Sequence, residues 1–152
     1  MKPIEILKNL DLEQKRLKYP NTPYLTAYNY KQNTANGLTR CIIDYINFIG
    51  GQAERINTTG RVIDNTKTVK NVIGQNQTVG SKQYIPTTGT KGSADISALY
   101  LGKSYKIEVK IGKDRQSEAQ KDYQMRIEAA GGVYYIAKSF DEFYAWVNEI
   151  TR

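Results

Sequence analysis

Three side chains of the 152-residue chain have the types and spacing to work on a phosphate: Asp95, Glu108 and Lys110. The stretch from Ser104 to Ile111 alternates strictly. Tyr105, Ile107, Val109 and Ile111 take one face, and Lys106, Glu108 and Lys110 the other. Glu108 and Lys110 are then neighbours on a strand, about 7 Å apart. Asp95-Ile96-Ser97-Ala98-Leu99-Tyr100 is also strand-like, and Leu101-Gly102-Lys103 can turn because glycine accepts positive φ. A hairpin over 95–111 brings Asp95 alongside the partner strand, so two carboxylates and one lysine converge. Two acids on rigid strands make a hard-oxygen site for a divalent cation such as Mg²⁺. A lysine beside them can orient a water and offset charge developing on a phosphate. The plainer expectation for Glu-x-Lys on a strand is a solvated face, where the charges serve solubility.

The surrounding residues favour the chemical reading. Gly92-Ser93-Ala94-Asp95 precedes Ile107-Glu108-Val109-Lys110, and Ser117-Glu118-Ala119-Gln120 follows. In this order and spacing the three motifs resemble the VRR-NUC branch of the PD-(D/E)xK nuclease superfamily, whose small phage and bacterial members stand close to Holliday-junction resolvases. The resemblance extends from about residue 34 to 143. It implies an α/β, restriction-endonuclease-like core, with a mixed central β-sheet flanked by helices. It implies metal-dependent cleavage of DNA phosphodiesters, with branched or double-stranded DNA as partner and a homodimer as the working unit. By the same resemblance, Asp95 and Glu108 would bind Mg²⁺ or Mn²⁺ with the Val109 carbonyl as a third ligand. Lys110 would be the catalytic lysine, and Gln120 would support the lysine or the water. Many relatives carry a glutamate on the first helix, whereas this chain has Asn36, Thr39 and Arg40 at the early positions. A third carboxylate is then Asp44, Glu54 or none. Arg55-Ile56-Asn57-Thr58-Thr59-Gly60 is similar to a segment of the small phage members, and equally reads as a surface turn. Arg55, Asn57, Lys91, Ser93, Lys113 and Arg115 are candidate contacts to nucleic acid. Two other readings compete: a non-catalytic DNA-binding or assembly protein on a nuclease fold, and a restriction or nicking endonuclease.

Composition narrows the chemistry independently. The chain has no histidine, which removes Ser-His-Asp triads, Cys-His dyads and histidine-dependent nuclease sites. One cysteine, Cys41, excludes an internal disulfide and fits a reducing cytoplasm, and without histidine it makes a zinc site implausible. A formal net charge of +7 suggests an anionic partner, nucleic acid being the commonest. No apolar run approaches membrane-spanning length, and the first residues lack the apolar stretch of a signal peptide.

The elements that position these residues are legible by period. Residues 1–33 read as an arm outside the core, with two short helices, the second capped by Asp11, and tyrosines that pack on the core, form a dimer contact or stack on bases. Residues 34–152 read as the nuclease domain. Its first helix spans Thr34 to Ile49, with Leu38, Ile42, Tyr45 and Ile49 as the apolar stripe, and ends at Gly50-Gly51. Gln52 to Asn57 reads as a strand. Residues 61–91 are a polar, basic insertion, with Lys67, Lys70, Lys82 and Lys91 against Asp64, and a hairpin is expected around Gly74 to Gly80. After the active hairpin, Ser117 caps a helix to Ala130 that buries Ala119, Tyr123, Met125, Ile127 and Ala130. Val133 to Ala137 is a buried strand, and Ser139-Phe140-Asp141-Glu142 opens the last helix.

Overall fold

The computed structural model describes residues 1–57, 60–87 and 89–152. The chain divides into two units, one of residues 1–56 with 91–152, the other of residues 57–90. Four helices and a four-stranded sheet make the first unit. They are α1 (Pro3–Lys18), α2 (Ala35–Phe48), β1 (Gln52–Arg55), β6 (Ile96–Tyr100), β7 (Lys103–Val109), α3 (Glu118–Ala129), β8 (Val133–Ala137) and α4 (Phe140–Ile150). The second unit holds β2 (Arg61–Asp64), β3 (Lys67–Lys70), β4 (Asn76–Val79) and β5 (Lys82–Ile85).

The large sheet runs β1-β6-β7-β8. The first three strands are antiparallel neighbours and β8 is parallel to β7, so the sheet is mixed and α3 is the crossover between its parallel pair. The expected α/β class and helix-flanked mixed sheet are present. The β6–β7 hairpin closes through Leu101 and Gly102, both at positive φ (48° and 73°), the turn whose twist matches its strands.

One face of the sheet holds the core. Ala53, Ile96, Ala98, Tyr105, Ile107, Val109 and Ala137 meet Leu38, Cys41, Ile42 and Tyr45 of α2 and Phe140, Phe143 and Val147 of α4. Burial pushes the Cys41 thiol up to about 11, as suits a structural cysteine. Thr34 and Ser139 accept backbone N–H groups at the starts of α2 and α4.

Residues 1–33 do not stand outside this core. Leu7 of α1 is fully buried in it and Tyr30 joins it. Asp11 caps no second helix. It lies inside the single 16-residue α1, where its carboxylate accepts the Tyr28 N–H at 2.6 Å and pairs with Lys15 at 2.8 Å. Amphipathic period alone could not separate one helix from two, because Asp11 has a cap's residue type and a tertiary partner.

In residues 57–90, β2 pairs with β5 and β3 with β4, one ribbon nested on the other. The turn spans Asn71–Gln75, where the Asn71 side chain accepts the Ile73 and Gln75 N–H groups. It therefore lies earlier than the expected Gly74–Gly80 position. Gly80, at φ 100°, instead kinks the ribbon, since a Cβ there would lie 2.3 Å from the Asn65 carbonyl oxygen. No described residue of this unit is buried. Thr58 and Thr59 of the expected polar turn lie outside the described residues.

Candidate active site

The sheet's second face carries the candidate residues, and pairing register explains why. Ile96 lies opposite Ile107 and Ser97 opposite Lys106 in the antiparallel β6–β7 pair. Extended by one residue, that register sets Asp95 beside Glu108. The Asp95 carboxylate accepts the Val109 N–H at 2.9 Å, and the Asp95 carbonyl accepts the Ile56 N–H at 2.8 Å. The start of β6 is therefore fixed from both sides.

This face is not the solvated one that plain alternation predicts. Glu108 is 2% exposed and Lys110 8%. They are covered by α3 and the loop before it. Lys110 Nζ lies 3.0 Å from Glu108 Oε1, 3.1 Å from Gln120 Oε1 and 3.5 Å from Asp114 Oδ2. The Gln120 amide donates to Glu108 Oε1. Gln120 also occupies the third position of α3, where its carbonyl oxygen accepts the Ser117 N–H and its own N–H reaches the Ser117 hydroxyl. One side chain thus starts the helix and ties the carboxylate to the lysine.

Gly92 makes the close approach possible. It sits at φ 79°, and a Cβ on it would lie 2.2 Å from the Ala119 carbonyl oxygen. The chain entering Asp95 therefore passes directly against the first turn of α3.

Electrostatically the cluster is a strained compromise. Burial raises the Glu108 pKa, Lys110 opposes that, and the nearby Asp95 charge adds to it, with a net upward shift. Burial also pulls Lys110 down, but Glu108 and Asp114 outweigh it, so the ammonium is held above its ordinary value. Glu108 Oε2 is buried with no hydrogen-bond partner, and so is the Tyr134 hydroxyl. Tyr134 stands opposite Lys106 in the β7–β8 register, on this same face. Its pKa is raised by burial and then by the Glu108 charge. Native folds seldom leave such groups unpaired.

Beyond Lys110 the face opens into a cleft of about 300 Å³, lined by Lys110, Asp114, Arg115, Gln116, Lys121, Ile136 and Lys138. Four cations face one carboxylate there.

The other expected residues separate. Arg115 lines the cleft, and Lys113 is exposed outside its lining. Lys91 is exposed. Ser93 is buried at 8% exposure, which removes its hydroxyl from a solvent-borne strand. Arg55 alternates to the core side of β1 and donates to Asn36 at 2.9 Å. Asn57 belongs to the second unit, where its carbonyl accepts from Thr87. Asp44, offered as a third carboxylate, is engaged by Tyr30 and Arg40, each at 3.0 Å, on the helix covering the opposite face. Glu54 is exposed and pairs across the sheet with Ser97. Among the described residues, no group of three or more Asp, Glu, Cys or His side chains could together hold a metal ion.

Sequence reasoning missed Asp114, Lys121, Tyr134 and Lys138. A signal for Lys138 existed. A parallel β8 beside β7 sets Ala137 against Val109, and the Lys110 N–H bonds the Ala137 carbonyl at 2.9 Å. The residue after the buried strand therefore arrives next to Lys110.

No protein-family model matches the chain, and no curated protein is significantly similar to it. Among the described residues, no helix is long and apolar enough to cross a membrane.

Proposed function

We propose that this chain is a metal-dependent DNA endonuclease on a restriction-endonuclease-like core, acting on branched or structured DNA as a cytoplasmic homodimer. The observation that carries the reading is the buried Glu108–Lys110 pair with Oε2 of Glu108 left unpartnered. A buried ion pair is poor value for stability, because taking each charge out of water costs several kcal/mol, and an orphaned oxygen adds to that cost. The arrangement has a rationale if a cation completes it.

The donors suit such an ion in kind: hard carboxylate oxygens, one of them buried and unsatisfied. Two carboxylates rather than three suit Mg²⁺ or Mn²⁺, which keep several waters. Asp95, Glu108 and the Val109 carbonyl would hold it, and when bound it would polarise the phosphate and acidify a water. Lys110 holds its proton, so it acts as a fixed positive charge and hydrogen-bond donor rather than as a base. Gln120 orients both Glu108 and Lys110. The basic cleft receives the anionic backbone.

The test is incubation of the purified protein with linear, nicked and four-way DNA in Mg²⁺ or Mn²⁺. Metal-dependent cleavage, strongest on four-way DNA, supports the reading. Tight DNA binding without cleavage in either metal replaces it with a binding or assembly role.

A further inference from the structure

The cleft beyond Lys110 contains two cations that the fold does not use. Elsewhere the basic side chains are largely committed: Lys15 to Asp11, Arg40 to Asp44, Lys82 to Asp64 and Lys121 to Glu118. Among the described residues, Arg115 and Lys138 meet no carboxylate, although both line the cleft. They arrive from different elements. Arg115 comes from the loop joining β7 to α3, and Lys138 from the residue after β8. Two cations brought together by separate segments repel unless an anion sits between them. Lys121 adds a third whose partner, Glu118, is exposed, and an exposed pair yields readily to a competing anion.

We infer that this cleft is a phosphate subsite, in which Arg115 and Lys138 hold a backbone phosphate of a nucleic-acid strand adjacent to the one at Lys110. Lys110 is the shared wall. One face of its ammonium meets Glu108, and the same residue lines the cleft. A strand whose reacting phosphate lies at Glu108 and Lys110 must continue somewhere, and the cleft offers room and charge on that side. Arg115 supplies a planar fork that matches two phosphate oxygens, and Lys138 a point charge. Asp114 stays with Lys110 and keeps the cleft from being uniformly attractive to any anion.

The inference rests on the proposed function only in saying that the bound strand is the one to be cut. The test therefore reads binding and cleavage separately. Affinity for labelled duplex DNA is measured against KCl concentration without divalent metal, for wild type, the double variant Arg115→Gln with Lys138→Gln, Arg115→Lys, and Lys103→Gln as a control at the far end of β7. Each lost phosphate contact lowers the salt slope by about 0.9, so the double variant should lose about 1.8. Arg115→Lys should keep its slope, and Lys103→Gln should match wild type. All four should melt alike, since none of these side chains is buried. An unchanged slope in the double variant overturns the subsite, even if wild type cleaves DNA. So does loss of a melting shift given by inorganic phosphate with no change in the DNA slope, which would make the cleft a small-anion site. A lowered slope with no cleavage by any variant supports the subsite and counts against the nuclease reading instead.

Discussion

Glu108 concentrates the argument at the scale of single residues. Its carboxylate is buried, shares one oxygen with Lys110 and Gln120, and leaves the other without a partner. Because burial holds its pKa above the ordinary glutamate value, the folded chain keeps this proton to higher pH than the unfolded chain does. Its contribution to stability is therefore present at low pH and is lost as pH rises from the ordinary value of 4.5 through the raised one. Glu108→Gln removes that dependence. In EDTA, the melting temperature of Glu108→Gln minus that of wild type should rise with pH over that window. A flat or falling difference would show that Glu108 is not destabilised by its surroundings. Metal should offset the same penalty. Mg²⁺ or Mn²⁺ should raise the wild-type melting temperature through preferential binding to the folded state, and Asp95→Ala should abolish the increment. Equal shifts in both proteins would place the metal elsewhere.

At the scale of elements, two helices do more than the sequence suggested. Leu7 is fully buried between α1 and the core, so Leu7→Ala should cost about 2–5 kcal/mol in denaturant unfolding. A dispensable arm would lose almost nothing. The second helix is α3, whose Ser117 and Gln120 split two roles. Ser117→Ala should cost about 1 kcal/mol of stability and leave chemistry nearly intact. Gln120→Ala should cost similar stability and also slow cleavage, because it releases both Glu108 and Lys110. Equal cleavage by the two variants would reduce Gln120 to a cap. The hairpin, α2, β8, α4 and the Ser117 start were legible because alternation, helical period and capping residues are local signals. Burial of Glu108 was not, because it depends on a helix arriving from ten residues further along. The same limit hid the course of α3. Met125 and Ala130 were expected inside, yet both are exposed. The face of α3 towards the sheet is Ala119, Gln120, Tyr123, Gln124 and Ile127, half-buried and partly polar. A helix that covers a polar site carries a weaker apolar stripe than one that covers a core, and its rotation is correspondingly hard to read.

At the scale of the whole molecule, charge and architecture divide the work between two units. Residues 1–56 and 91–152 carry the core and the site, while residues 57–90 form a ribbon without a buried described residue. Lys67 and Lys70 lie along β3 and are exposed. Replacing both with Ala should weaken DNA binding and flatten its salt dependence while leaving the melting temperature almost unchanged. An unaltered slope would remove the ribbon from substrate binding. The central claim, that the buried cluster is catalytic, is tested most directly by the rate at which wild type, Lys110→Ala and Lys106→Ala cut labelled four-way DNA in Mg²⁺ or Mn²⁺. Lys106 is a matched comparison, on the same face of β7 but bonded to the Ser97 hydroxyl at 2.6 Å and assigned no chemistry. The account predicts that Lys106→Ala cuts nearly as well as wild type and that Lys110→Ala is slower by about 10²–10³, as is usual when one preorganised electrostatic group is removed. Equal rates for all three proteins, or no cleavage by wild type in either metal, would contradict it.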